Sequence, residues 1–332
     1  MNVMYAADDN YAEIMGVSIK SMMQTNKWCK IHFYLVEDNI SRSNKDKLER
    51  MIIQDGNEVT FISKPDIRKM LGVELKTLRW SDSAYSRLFL EELFGKEYTM
   101  EKLLYMDCDT LIVDSLKDLW NMDVTDYIGA ACLECMSNMH KWIIGAKPRD
   151  NYINTGMLLL NVKRWIMENI QDVEVEFIRK YCGRTEYVDQ GVINGTISNR
   201  FMLVSPRYNL TTLAYDFTYD EMQIYRKPHF GYTKKEWEEA VKNPAVVHFT
   251  TSFLSVRPWF EGSEHPYAKL WKEMHDRTPW GGKSYRKLKN KKQQDKKRKM
   301  YMSIPRKIAV RMAGFLHAYV KPILYILLSI KS

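Results

Sequence analysis

Asp107 and Asp109 end the apolar run Leu103-Leu104-Tyr105-Met106, with Cys108 between them. Two carboxylates at that spacing can converge on one divalent cation where a strand gives way to a turn. Hard oxygen ligands suit Mn2+ or Mg2+, whose other positions diphosphate oxygens fill well. A cation held there stabilises the charge that gathers on a diphosphate when a bond to it breaks. The pair alone does not separate a metal site from an ordinary turn. Other groups with chemistry stand in similar places: Asp8-Asp9-Asn10 after the apolar opening of the chain, Asp189-Gln190 ahead of Gly191-Val192-Ile193-Asn194, and His248 at the end of Ala245-Val246-Val247. Each has a plainer reading too. Asp8, Asn10 and Asp189 could cap helices, and His248 could be a core histidine. There is no G-x-G-x-x-G and no Walker A, so a glycine-rich phosphate cradle is excluded.

Hydrophobic periodicity says what positions these groups. Asn2–Ala7, Lys30–Val36 and Glu58–Ile62 read as strands. Tyr11–Thr25 and Ser41–Gln54 read as helices, the second opening on a Ser cap. This βαβαβ order implies an α/β fold with a mainly parallel, doubly wound sheet, on which ligands sit at the carboxyl ends of strands. Asp8-Asp9-Asn10 then points into the site. Pro65–Asp82 reads as irregular, Ala84–Phe94 as helical, and Lys102–Met106 as the strand that delivers Asp107. Residues 150–260 carry many Asn, Tyr and Thr between short apolar runs and read as a second, less regular half.

The motifs together resemble glycosyltransferase family 8. Ala6-Ala7-Asp8-Asp9-Asn10-Tyr11 is similar to that family's nucleotide-binding loop, and Tyr105-Met106-Asp107-Cys108-Asp109 to its Asp-x-Asp strand end. Tyr85-Ser86-Arg87-Leu88 looks like the segment whose arginine reaches the diphosphate. Ile153-Asn154-Thr155-Gly156 resembles the sugar-contacting segment, and Asp189-Gln190 the pair beside the reacting carbon. His248 matches the third metal ligand, and Arg257-Pro258-Trp259 the following basic segment. The resemblance implies a GT-A type, Rossmann-like fold and a retaining hexosyltransferase using UDP-galactose or UDP-glucose with Mn2+ or Mg2+. It implies Asp107, Asp109 and His248 on the metal. Ala6, Ala7, Asp8, Asn10, Tyr11, Arg87, Cys108, Glu134, Asn154, Thr155, Thr251 and Arg257 would line the nucleotide sugar, and Asp189 and Gln190 would serve the reaction itself. One departure stands out: Thr251 occupies a position where the family has glycine, the loop 249–257 is longer, and Arg257 replaces a lysine.

The net charge of +9 is not spread evenly. Lys283–Ser332 holds 15 of the 50 Lys and Arg residues and a single acid, Asp295, so the preceding body is net acidic. The expected organisation is a catalytic domain over 1–282, with a nucleotide-binding half over about 1–125 and a sugar and acceptor half over 126–282, then a basic tail over 283–332. Lys283–Lys299 reads as a linker. Beyond it, Ile308, Met312, Phe315, Leu316, Tyr319, Val320, Ile323, Leu324, Leu327 and Leu328 form one helical stripe, interrupted at Pro322. A basic run followed by an amphipathic helix reads as a binder of an anionic membrane surface and not of nucleic acid. The partners expected are a UDP-sugar, a glycan or glycolipid acceptor and the inner face of the plasma membrane, from the cytoplasm. The opening residues read as a strand and lack the basic and long apolar regions of a leader. Five cysteines without a disulfide spacing suit a reducing compartment. Two rivals remain: a haloacid-dehalogenase-like phosphohydrolase, from Asp107-Cys108-Asp109-Thr110, and a non-catalytic membrane-binding protein.

Overall fold

Short β-branched and aromatic runs become the strands of the central sheet: β1 (Asn2–Asp8), β2 (His32–Asp38), β3 (Glu58–Ser63) and β4 (Lys102–Met106). A three-residue β5 (Thr110–Ile112) leaves this sheet, and the chain returns to it with β6 (Gly129–Leu133), β7 (Ile153–Asn161) and β8 (Phe201–Val204). The computed structural model describes residues 1–76, 82–95 and 100–331. The strand order is β3-β2-β1-β4-β7-β6-β8. β3, β2, β1 and β4 run parallel, while β7 is antiparallel to both of its neighbours. Helices Ala12–Thr25 and Arg42–Gln54 are the crossovers that parallel pairing demands. Ser41 caps the second of them through its side chain. The mainly parallel α/β reading is therefore realised. Within Pro65–Asp82, read as irregular, a short helix forms at Ile67–Leu71; residues 77–81 lie outside the described residues.

A second sheet joins β5 to β10 (Val246–His248) and β9 (Leu210–Thr211). Its strands are too short to show a period in sequence. They matter because they bring His248 back to the first half of the chain.

The tail differs from the linker-plus-free-helix expectation. Lys291–Met302 and Arg306–Phe315 are helical, and the second packs on the helix Tyr219–Arg226. The physical reason is charge complementarity with the acidic body. Arg298 pairs with Glu264, Arg306 with Glu221, and Lys283 and Arg286 with Glu13. The docked face is the small-residue one: Val310, Gly314 and Ala318 are buried. A Cβ at Gly314 would lie 2.4 Å from the carbonyl oxygen of Ile224, so glycine is what allows the close approach. The opposite face keeps Ile308, Met312, Phe315, Leu316, Ile323 and Leu324 exposed.

Burial raises the Glu13 carboxyl, but His275, Arg286 and Lys283 outweigh it and hold it at about 2. A carboxyl depressed by folding stabilises above its ordinary range and loses that contribution as pH falls through the folded value. Glu13→Gln is therefore expected to lower the thermal midpoint at neutral pH by roughly 1.5–3 °C, the size of about 1–2 kcal/mol in a large chain. Its melting temperature should also fall less steeply on acidification than that of the unaltered chain. Parallel acid limbs in calorimetry would exclude Glu13 as their source.

Candidate active site

The chain leaves β1 for β2 and β3, then returns on the other side of β1 as β4. That reversal opens a crevice at the carboxyl ends of β1 and β4, where Asp8 and Asp107 stand. A buried line of hydroxyls stiffens its floor. Tyr5 Oη lies 2.9 Å from Ser18 Oγ, Ser18 Oγ 2.8 Å from Thr110 Oγ1, and Thr110 Oγ1 donates to the Asp107 carbonyl at 2.8 Å. On the far side, the Asp107 amide donates to the Gly156 carbonyl at 2.8 Å. The β6–β7 register jumps here, Ala131 facing Leu158 and Cys132 facing Asn154. Such a bulge re-aims side chains, and this one turns Asn154 and Thr155 towards the crevice.

The β5–β10 register sets His248 opposite Thr110, beside Asp109. His248 Nε2 is 3.2 Å from Asp109 Oδ1 and 3.6 Å from Asp107 Oδ2. The ligand atoms of Asp107, Asp109 and His248 all lie within 4.8 Å of one another, the one such candidate group among the described residues. Asn209 completes the arrangement. Its Oδ1 is 2.9 Å from His248 Nδ1, and its Nδ2 donates to Asn154 Oδ1 at 2.8 Å. Because Asn209 Oδ1 can only accept, Nδ1 carries a hydrogen and Nε2 is the atom presented to a cation. Gly156 is needed beneath the ring: a Cβ there would lie 2.3 Å from His248 Cε1. Two carboxylates and an oriented imidazole fit a hard or borderline divalent ion. Burial pushes the Asp109 carboxyl up, yet His248 and Arg257 hold it below its usual range. Burial pulls His248 down, and Asp109 and Asp107 more than offset it.

Arg87, expected at the diphosphate, is occupied within the protein. It is 4% exposed. Its Nη2 donates to Asp107 Oδ1 at 2.8 Å, its Nη1 to the Thr155 carbonyl at 2.6 Å, and its Nη1 sits 3.2 Å from Asp189 Oδ2. The guanidinium stacks on Tyr105, 3.8 Å from the ring centre. It thus joins the cation side of the crevice to the Asp189 side.

Asp189 opens the helix Asp189–Thr196 after two residues with positive φ, Tyr187 at 59° and Val188 at 60°. A β-branched residue there is strained. Thr185 Oγ1 donates to the Val188 carbonyl at 2.9 Å, and Glu186 pairs with His140 at 2.7 Å. Burial is the main reason the Asp189 carboxyl rises to about 6; Arg87 opposes this and Asp107 adds to it. Gln190 Oε1 accepts from the Thr155 amide at 3.3 Å.

These groups share one cavity of about 510 Å³. Ala6, Ala7, Asp8, Tyr11 and Cys108 line one end; Glu134, Asn154 and Gln190 line another part. Arg257 bridges Tyr11 Oη at 3.1 Å and Thr251 Oγ1 at 2.8 Å, so Thr251 and Arg257 do meet in the altered loop. Asn10 is the exception: it is exposed and lies outside the cavity lining. Asp8 Oδ1 takes the Tyr11 amide at 3.1 Å, so its turn-capping role coexists with its place in the cleft. The residues missed from sequence are Tyr105, Asn209, Tyr187, Arg226, His317 and Lys321. Tyr105 lies inside the Asp-x-Asp segment, but nothing there shows that its ring carries Arg87; no motif marks the others, whose partners are distant in the chain.

Comparisons with known proteins give the family and the fold. The sequence profile of glycosyl transferase family 8 matches residues 2–262. General stress protein A of Bacillus subtilis is 25% identical over 285 residues, which is 84% of this chain and 94% of that protein. A lipopolysaccharide 1,2-glucosyltransferase of Escherichia coli K12 is 23% identical over 87% of this chain and 82% of its own length. The crystal structure of the galactosyltransferase LgtC with donor and acceptor sugar analogues superposes with a TM-score of 0.70 at 24% identity, covering 89% of this chain and 100% of that one, and shows the shared fold.

Asn209→Ala removes the group that orients His248. Mn2+ titration followed by electron paramagnetic resonance should then show binding weakened by about tenfold to a hundredfold. Asp109→Asn should weaken it further. Unchanged Mn2+ affinity in Asp109→Asn would mean the ion is held elsewhere.

Proposed function

The chain belongs to glycosyl transferase family 8, and on that footing we propose that it is a metal-dependent, retaining hexosyltransferase that moves galactose or glucose from UDP to a glycan or lipid-linked acceptor. The observation that carries this reading is the single cleft in which Asp107, Asp109 and His248 gather and to which Arg87 ties Asp189. A cation-ready end and a sugar-hydroxyl end are what a nucleotide sugar requires. The relatives support the hexose: one is named a glucosyltransferase and another a galactosyltransferase. Family membership does not favour the phosphohydrolase. Asp107, its required nucleophile, is also occupied by Arg87 and by Tyr105 Oη at 3.0 Å.

A Mn2+ or Mg2+ ion on Asp107, Asp109 and His248 would supply charge stabilisation to the leaving diphosphate. This chain's own residues do the rest. Asp189, ionised, accepts hydrogen bonds from donor-sugar hydroxyls, and Glu134 and Asn154 frame the sugar. Retaining hydrolases use two close carboxylates, one as nucleophile. Here Asp189 is held by Arg87 and Gln190 is a poor nucleophile, which favours front-face displacement. The bond from the sugar's anomeric carbon to the phosphate oxygen breaks and the acceptor oxygen bonds to that carbon on the same face. The acceptor's proton passes to the departing phosphate oxygen, and the Gln190 amide oxygen stabilises the charged carbon between the two events.

The tail supports a place at the cytoplasmic face of an anionic membrane. No helix among the described residues is long and apolar enough to cross a bilayer. Phe315, Leu316, Ile323, Leu324, Leu327 and Leu328 are instead exposed along one side, flanked by Lys307 and Arg311 and preceded by the polybasic segment. That arrangement suits an interfacial helix.

A screen of UDP-sugars with Mn2+, reading UDP release, should single out UDP-galactose or UDP-glucose; turnover of phosphate esters alone would refute the assignment. With the preferred donor, kcat/KM should rise as pH passes through about 6, where Asp189 ionises, and Asp189→Asn should lose that limb. For the membrane, flotation with phosphatidylglycerol vesicles should recover the full chain, whereas phosphatidylcholine vesicles should not. Phe315→Ser combined with Leu324→Ser should weaken vesicle binding by about tenfold or more, since two large apolar groups no longer insert; equal flotation would rule out the stripe.

A further inference from the structure

The C-terminal helix does more than present an apolar stripe, because part of its inner face lines the catalytic cavity. His317 and Lys321 stand there with Tyr187, Arg226, Gln190 and Asp189. The local cause is Pro322. Leu316–Val320 is a π-turn, in which the Lys321 amide reaches back to the Leu316 carbonyl. The next bond in that pattern, from residue 322 to the His317 carbonyl, cannot form because proline has no N–H. The Ala318 carbonyl loses its ordinary α-helical partner for the same reason. Side chains of the body fill both vacancies: His140 Nε2 donates to the His317 carbonyl at 3.1 Å, and Ser137 Oγ to the Ala318 carbonyl at 3.1 Å. The interruption of the helix is thus the means by which the tail is keyed to the cleft.

Two lines of polar contacts leave His317. Through its carbonyl it meets His140, which pairs with Glu186, the residue before the strained Tyr187-Val188 turn that delivers Asp189. Through its ring it meets Arg226, whose Nη1 donates to Nε2 at 2.9 Å. Arg226 Nη2 lies 3.3 Å from Glu134 Oε1, and Glu134 Oε2 accepts from Asn154 Nδ2 at 2.5 Å. Since Arg226 can only donate, the neutral ring carries its hydrogen on Nδ1, and that buried N–H has no partner among the described residues.

We propose that His317 is a positioning residue for the transfer reaction, by which the docked tail completes the acceptor end of the cleft and holds Glu134 and the Asp189 turn in place. Its remaining Nδ1–H is suited to an acceptor hydroxyl. The inference rests on the transferase reading, and it makes the tail part of the catalytic unit and not a separable anchor. The backbone pairing of β10 fixes His248 apart from this network, which reaches its ring only at the far end, through Asn154 and Asn209, so nucleotide binding should be largely spared.

The test uses the full chain with Mn2+, comparing His317→Phe with His317→Gln, whose amide oxygen can still accept from Arg226. His317→Phe should lower kcat/KM for transfer to an octyl glycoside acceptor by about tenfold or more, the size of one lost hydrogen bond to a charged group. Calorimetric UDP–Mn2+ affinity should stay within about twofold, and His317→Gln should recover most of the transfer. Limited trypsin cleavage at Arg306–Arg311 should quicken about fivefold in His317→Phe and return towards normal in His317→Gln. Transfer by His317→Phe within about twofold of the unaltered chain, or equal loss of UDP binding and transfer, would overturn the proposal. A chain that turns over no UDP-sugar would refute the transferase reading instead; the cleavage rates would still decide whether His317 ties the tail down, with unchanged cleavage ending the proposal.

Discussion

A guanidinium enclosed between two carboxylates organises the molecule's centre. Arg87 is almost wholly out of water, and a buried charge is tolerated only where partners surround it. Its partners come from β4, β7 and the helix that begins at Asp189, so one side chain compels three distant segments to converge. It also sets the charge balance. Asp107, Asp109 and Asp189 face Arg87, Arg257 and His248 across a few ångströms. Removing Arg87 would leave the buried Asp189 without its charge partner and Asp107 without its nearest one, and a lysine could not substitute: a point charge cannot bond both carboxylates and stack on Tyr105.

Much of this was legible from sequence because it is locally encoded. β1 to β4 are apolar runs bounded by polar turns, and their helical crossovers show the helix period, so the parallel sheet and its ligand-facing ends could be read directly. The convergence of Asp107, Asp109 and His248 into a candidate metal group was legible as well, although only in the company of its matching neighbours; Asp-x-Asp and an isolated histidine say little alone. The immediate partners of Arg87 were not, because its sequence neighbourhood carries no trace of Asp189, a hundred residues on. Asn209 was missed for a similar reason: its task is to orient His248, and that pairing exists only once β9 and β10 lie side by side. β5, β9 and β10 are too short to have a period at all.

The tail was misread in an instructive way. A lysine-rich run looks solvated when its own segment is considered alone, since like charges repel. The acidic surplus of the body is spread thinly over 282 residues and draws no attention, yet Glu13, Glu221 and Glu264 are where the tail needs them. Periodicity did find the large apolar stripe. It could not show that the small residues Val310, Gly314 and Ala318 on the other side were the docking face, because small side chains give weak hydrophobic signals while permitting the closest backbone approach.

The two faces of the C-terminal helix have a geometric corollary. The inner face borders the cleft and the outer one is greasy, so the helix behaves as a partition one helix diameter thick, about 10 Å. A bilayer lying against the outer side would bring headgroups to the rim of the cleft. A membrane-borne acceptor could then reach the reacting carbon by lateral diffusion and a short upward extension, without its tail leaving the lipid. The relevant search would be two-dimensional, and the enzyme would meet its substrate at a concentration set by lipid area and not by the volume of the cell.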